Sequence, residues 1–125
     1  MRILLDSHTL IWALHAPDRL RPEARLILED PRTIVFFSAA SVWELEMKRA
    51  KGKLDLPEDW LDAISHLSFL HLAITADDAV CCAHLPPHHA DPFDRMLIAQ
   101  ATMHQLTLAS RDAMLSGYGV NLLLV

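Results

Sequence analysis

Arg2-Ile3-Leu4-Leu5-Asp6-Ser7-His8-Thr9-Leu10-Ile11-Trp12-Ala13-Leu14-His15 holds two periodicities joined at one acid. Arg2 to Leu5 is a short aliphatic run and reads as a strand. From Ser7 to His15, Leu10, Ile11 and Leu14 recur at helical spacing, so the chain passes at Asp6 from strand into helix. The same alternation continues outward. Pro22 suits the first position of a helix, with Glu23 in its first turn and Leu26 and Ile27 on one face. Thr33 to Phe37 is β-branched and aromatic and reads as a buried strand. Ser41 to Lys51 is helical, with Gly52 as its closing residue. Pro57 opens a helix carrying Trp60, Leu61, Ile64 and Leu67. Phe69 to Ile74 suggests a strand, and Thr75 caps a helix with Asp77 and Asp78 in its first turn. Pro86 and Pro87 stop that helix. Asp91-Pro92 starts another, through Met96, Leu97, Ala101 and His104, with Asp91 as cap and Pro92 at the first position. Leu106 to Ala109 and Val120 to Leu124 are strand-like. Strands alternating with helices require crossovers, which predicts an α/β fold with a mostly parallel sheet and helices on both faces.

The 125 residues suit one domain over 1–125. Hydrophobic residues make up 52%, enough for a packed core. No apolar run approaches the roughly 18 residues that span a bilayer. The first residues lack the apolar stretch of a signal peptide, so the expected location is cytoplasmic. Cys81 and Cys82 are adjacent, which disfavours a bridge between them, and they read as small buried residues of a reduced cytoplasm. The formal net charge is −5, which at first sight opposes a nucleic-acid partner. If four carboxylates are held together on a cation, the remaining 12 acids nearly balance the 11 bases.

Four acids fall where such a site would form. Asp6 ends the first strand, Glu44 lies one turn into the helix after the second, Asp94 is in the first turn after Pro92, and Asp112 follows the Leu106–Ala109 strand. In open α/β sheets, sites form at the carboxyl ends of the strands. Converging carboxylates repel one another unless a hard cation joins them, and Mg²⁺ or Mn²⁺ prefers such oxygens. The spacing leaves plainer roles open: Asp94 as a helix-dipole residue, Glu44 as a partner of Lys48.

Around these acids the wording resembles a known family. Ile3-Leu4-Leu5-Asp6-Ser7-His8 resembles the opening of PIN domains. Ser41-Val42-Trp43-Glu44 is similar to their second motif. His89-Ala90-Asp91-Pro92-Phe93-Asp94-Arg95-Met96-Leu97-Ile98-Ala99-Gln100-Ala101 resembles the third motif of a toxin-like bacterial subgroup, and Ser110-Arg111-Asp112 the fourth. Ser110 stands for the usual Thr and keeps its hydroxyl; Leu115 stands for a common Phe. The closing Tyr118-Gly119-Val120 also fits.

The resemblance implies a VapC-type toxin: an Mg²⁺- or Mn²⁺-dependent endoribonuclease with Asp6, Glu44, Asp94 and Asp112 as catalytic metal ligands, silenced by a VapB-like antitoxin and assembled as a homodimer. A processing nuclease without an antitoxin, or a PIN-like binding module, are the alternatives. Ser7 and Ser110 are expected to support the ligand carboxylates, and Asp91 either stands with them beside the site or only caps its helix. Lys48, Arg49, Lys51 and Lys53 could form a phosphate-contacting edge for RNA or simply suit a helix end. Arg95 is expected to pair with a nearby carboxylate rather than touch substrate. His8 could line the cleft, whereas His88 and His89 read as exposed loop residues. Trp12, Trp43 and Trp60 read as core or interface. The antitoxin is expected to dock on apolar surface around Trp12, Leu20 and Leu26.

Overall fold

A computed structural model describes all 125 residues. Five strands form one sheet: β1 (Arg2–Leu5), β2 (Ile34–Ser38), β3 (Leu70–Leu72), β4 (Thr107–Ser110) and β5 (Leu122–Leu124). Their order is β3-β2-β1-β4-β5 and every pairing is parallel. Six helices connect them: α1 (Ser7–His15), α2 (Pro22–Glu29), α3 (Ala39–Ala50), α4 (Trp60–Ile64), α5 (Ala76–Ala83) and α6 (Pro92–His104). A parallel pair needs such crossovers, because the chain must return to the starting edge before the next strand.

The two faces of β1 feed separate cores, since alternate side chains leave a strand in opposite directions. Ile3 and Leu5 join Leu10 and Trp12 of α1, Leu45 of α3, and Trp60 and Ile64 of α4. Leu4 joins Leu97, Ile98 and Ala101 of α6, with Leu108 of β4. The sheet is therefore covered on both sides.

Local chemistry adjusts several expected boundaries. α3 begins two residues early because Ser38 caps it, accepting from the Ala40 N–H. Its other end closes as a Schellman turn: Gly52 N–H donates to the Arg49 carbonyl and Lys53 N–H to the Lys48 carbonyl, with Gly52 at φ +68°. Residues 57–59 form a turn, so α4 starts only at Trp60. It stops before Leu67, where the Ser65 hydroxyl donates back to the Asp62 carbonyl in place of a continued ladder. Short 3-10 turns at Pro17–Arg19 and Ala113–Tyr118 add to the expected elements.

Candidate active site

Parallel strands place all their carboxyl ends on one edge. From β1 the chain proceeds outward through β2 to β3; β4 and β5 lie on its other side. The order reverses between β1 and β4, which opens a crevice at their carboxyl ends. Asp6 stands at the end of β1, its N–H donating to the Ala109 carbonyl of β4. Asp112 follows β4 by two residues. The crevice is thus flanked by acids from both strands.

Helix starts fix these acids. Asp6 caps α1, its carboxylate accepting from the Thr9 N–H at 2.8 Å. Asp112 caps the 113–118 turn and accepts from the Met114 N–H, while the Ser110 hydroxyl accepts from the Asp112 N–H. Asp91 caps α6, accepting from the N–H groups of Phe93 and Asp94 at 2.8 and 3.2 Å. Asp94 follows in the first turn of α6. Glu44 is buried midway along α3, receiving the Ser7 hydroxyl on one oxygen and Lys48 Nζ at 2.8 Å on the other.

Asp94 carries the electrostatic signature of the cluster. Burial pushes its carboxyl up to about 6, and the charges of Asp91, Asp6 and Glu44 push the same way, against an opposing pull from His89. His89 is the residue that the sequence misplaced. Its Nε2 lies 3.4 Å from an Asp94 oxygen and 3.5 Å from an Asp112 oxygen, so it stands in the cleft and not in solvent. Its Nδ1 accepts from the Asp91 N–H, which puts the ring proton on Nε2, facing the two acids. His88 is exposed, as expected.

The basic residues correct the sequence expectation. Arg95 pairs with no carboxylate. Its guanidinium donates to the carbonyls of Cys82, Leu85, Pro86 and His89, and so ties the proline loop and the end of α5 to α6. Arg49 donates to the Leu56 carbonyl and pairs with Glu46. Lys48 is committed to Glu44. The expected phosphate-binding edge after Glu44 therefore has two of its four bases engaged within the protein.

As the side chains stand, no three His, Cys, Asp or Glu groups grip a common point in the manner of a closed ion site. His89 lies between Asp94 and Asp112, and Lys48 holds one oxygen of Glu44. The donor chemistry nevertheless fits a hard divalent cation: the acids are carboxylates, and the carboxyl of one, Asp94, is raised by burial and by the negative charges beside it. Ser41, three residues before Glu44 on the same helix face, is fully buried with its hydroxyl unpartnered. Two apolar hollows lie elsewhere, about 470 Å³ beside Leu20 and Phe69 and about 570 Å³ between Phe37, Trp43 and Leu61. Neither contains any of the four acids, and the shifted groups at the first, Arg25 and Asp30, are held in surface ion pairs, so the acidic crevice is the better candidate.

A PIN domain family model matches residues 3–120. The chain belongs to the PIN-domain family. That domain is a nuclease fold, which agrees with acids gathered at the carboxyl edge of the sheet. No curated protein sequence matches it. Several solved structures share the architecture. VapBC2 from Rickettsia felis, bound to a promoter DNA fragment, is 12% identical with a TM-score of 0.72, covering 98% of each chain. DNA-bound VapBC from Salmonella typhimurium is 16% identical at 0.70, over 98% of this chain and 97% of that one. FitAcB from Neisseria gonorrhoeae is 26% identical at 0.61, over 96% and 95%.

In this PIN domain the apolar surface also lies away from its expected place. Trp12 and Leu20 are 9% and 6% exposed and belong to the core; Leu26 alone of that set is exposed, at 72%. Trp43, 60% exposed and edge-on to Phe93, is the tryptophan left at the surface. No helix is long and apolar enough to cross a membrane.

Proposed function

We propose that the protein is a divalent-metal-dependent endoribonuclease, the toxin of a VapBC-type pair, acting in the cytoplasm as a homodimer and silenced by a VapB-like antitoxin. The observation that carries the nuclease reading is the gathering of Asp6, Glu44 and Asp91 around a buried Asp94, whose carboxyl burial first and their charges second push up to about 6. Asp6, Glu44, Asp94 and Asp112 are the residues that would hold Mg²⁺ or Mn²⁺. When bound, the cation supplies an activated water and charge neutralisation at a phosphodiester. The chain's own residues prepare for it. The Thr9 N–H orients Asp6, the Ser7 hydroxyl orients Glu44, and the Met114 N–H orients Asp112. Asp91, by capping α6, fixes where Asp94 stands. The toxin reading is supported by full-length likeness to chains from VapBC complexes, in which a partner protein accompanies the fold.

The test is RNA cleavage by the purified protein with Mg²⁺ or Mn²⁺, with chelator, and with Asp6→Asn. Metal-dependent cleavage that Asp6→Asn lacks supports the assignment. Undiminished cleavage by that variant, or in chelator, would sink it. Co-purification with the product of the neighbouring gene, and loss of cleavage in that complex, tests the toxin reading separately.

A further inference from the structure

An acidic crevice must still attract a polyanion, so the distribution of free bases decides how a strand is held. The chain has 11 lysines and arginines. Arg25, Arg32, Lys48 and Arg49 are in ion pairs, and Arg95 is spent on backbone carbonyls. Arg2 donates to the His104 carbonyl and lies over Phe36. Arg19, Arg21, Lys51 and Lys53 remain, but each lies beyond the far end of a helix that runs away from the crevice. α1 carries the first two about 14 Å off, and α3 carries the lysines about 10 Å beyond Glu44. Arg111 alone is both free and adjacent to the crevice. It sits between Ser110 and Asp112, is exposed, and its guanidinium carbon lies 4.9 Å above the centre of the Trp12 ring. Trp12 is buried beneath it, with the exposed His8 ring 6.0 Å away. The backbone on either side is pinned, Ser110 by β-pairing and Asp112 by its own capping bond.

Resting on the nuclease reading above, we propose that Arg111, held over the Trp12 ring, grips a backbone phosphate of RNA next to the scissile one and sets the register of the strand over Asp6 and Asp112. A guanidinium held over a ring by its charge makes no hydrogen bond there and keeps its N–H donors free, and these can engage a phosphate in two parallel bonds. Because the indole already restrains the side chain, little further entropy is lost on binding. Lysine keeps the charge but neither the stack nor the fork. If Arg111 served only as a cover for Trp12, its truncation would alter stability and leave RNA affinity alone.

The experiment uses random-sequence single-stranded RNA and the full chain. Cleavage kinetics are compared for wild type, Arg111→Ala and Arg111→Lys. Anisotropy binding is measured against salt in an Asp94→Asn background, which keeps the RNA whole. For Arg111→Ala we expect KM to rise about tenfold with kcat within about twofold, the size of one lost charged hydrogen-bonding partner. The slope of log affinity against log salt should fall by about 0.7, one phosphate contact on a single strand. Arg111→Lys should recover most of the salt slope but less of the KM. The Mn²⁺-induced rise in melting temperature should match wild type. An unchanged KM and salt slope in Arg111→Ala would overturn the proposal, as would loss of the Mn²⁺ response, which would make Arg111 a support of the acids. If wild type itself cleaves no RNA, the underlying nuclease reading fails first, and that result is distinct from a wild type that cleaves and an Arg111→Ala that cleaves equally well.

Discussion

Asp78 and Asp94 occupy the same position in two helices, the third residue of α5 and of α6, and their environments drive them in opposite directions. Asp78 is 1% exposed, and burial pushes its carboxyl up. The Thr75 N–H, the Gln100 amide and the Thr75 hydroxyl more than reverse that, helped by the charge of His104, so it sits below the ordinary carboxylate range. Gln100 in turn accepts from the Ser38 hydroxyl, which closes a network across β2, α5 and α6. Asp94 has no such set of donors, only the His89 Nε2 at 3.4 Å. Its helix is capped by another acid, Asp91, which takes the Asp94 N–H for itself, and burial together with neighbouring charge lifts the carboxyl to about 6. A carboxylate surrounded by donors braces the fold; one set among other acids, on the reading proposed above, would take a cation.

The largest expected effect separates the two acids by activity. Asp94→Asn should reduce metal-dependent RNA cleavage by at least about 100-fold, since even supporting residues of metal sites cost 10- to 100-fold. Asp78→Asn should retain cleavage within a few-fold at a temperature where both are folded. Equal loss in both, measured beside circular dichroism, would erase the distinction between a site and a brace.

Stability should separate them in the opposite sense. Asp78→Ala removes the acceptor of the part-buried Thr75 N–H and of one Gln100 amide proton, leaving Gln100 only the Ala73 carbonyl, and breaks the contact with His104, whose Nε2 lies 3.1 Å away. Orphaned buried donors cost about 1–3 kcal/mol each. We expect a loss of about 3 kcal/mol, or about 10 °C in melting temperature for a domain of this size. A change under about 1 kcal/mol would show that the network is not the brace described.

The same contrast separates what the sequence made legible from what it did not. Asp6, Glu44, Asp94 and Asp112 could be located because strand ends, Pro92 and helical periodicity fix where each stands along its own element. His89 could not, because the path of the loop Pro86-Pro87-His88-His89 follows no periodicity; the guanidinium of Arg95 and the Asp91 N–H set it. Nor could the Asp78 network, whose partners Ser38 and Gln100 lie 62 residues apart and meet only after the sheet has formed. Alternation of strands and helices implied a parallel sheet, but the order β3-β2-β1-β4-β5 depends on which strand each crossover reaches. The aromatic residues were the least legible: Trp12 and Trp43 read alike in sequence, and one is buried under Arg111 while the other faces solvent.

The pH dependence of the metal-free protein should carry both signs. The carboxyl of Asp94 titrates near 6 when folded and near 3.8 when unfolded, so the folded state holds its proton more tightly. Its contribution favours the fold below about pH 4 and is lost as pH rises through 6. Two units correspond to about 2–3 kcal/mol. Asp94→Asn should therefore be more stable than wild type by about 2 kcal/mol at pH 8 in chelator, and the gap should close by pH 4. Millimolar Mn²⁺ should reverse the ranking, because the cation binds the folded acids and not the unfolded chain. Asp78 has the other sign: its support is present above the carboxylate range and lost in acid. Denaturant midpoints across pH, with and without metal, would reveal both, and a Mn²⁺ response equal in Asp94→Asn and wild type would argue against Asp94 as a ligand.

The smallest expected effect exchanges the caps themselves. Thr and Asp are both good N-cap residues and differ by only a few tenths of a kcal/mol in that role, so swapping them changes chiefly the charge next to the third residue. In Thr75→Asp, α5 acquires the acidic start of α6. The new carboxylate still accepts from the helix N–H groups but faces Asp78 as a like charge, so the Asp78 carboxyl should rise and the protein should lose under about 1 kcal/mol. In Asp91→Thr, α6 acquires the neutral start of α5. The cap survives, one repelling charge is removed, and the Asp94 carboxyl should move down from about 6 toward its ordinary range. It should not arrive there, because burial is the larger cause and the charges of Asp6 and Glu44 remain. Carboxyl-detected NMR titration of the two variants reads both shifts directly. If Asp94 does not move in Asp91→Thr, the cap contributes nothing, and burial with the charges of Asp6 and Glu44 accounts for its state. The contrast between the helices would then lie in the donors that Asp78 has and Asp94 lacks, rather than in the acid that precedes Asp94.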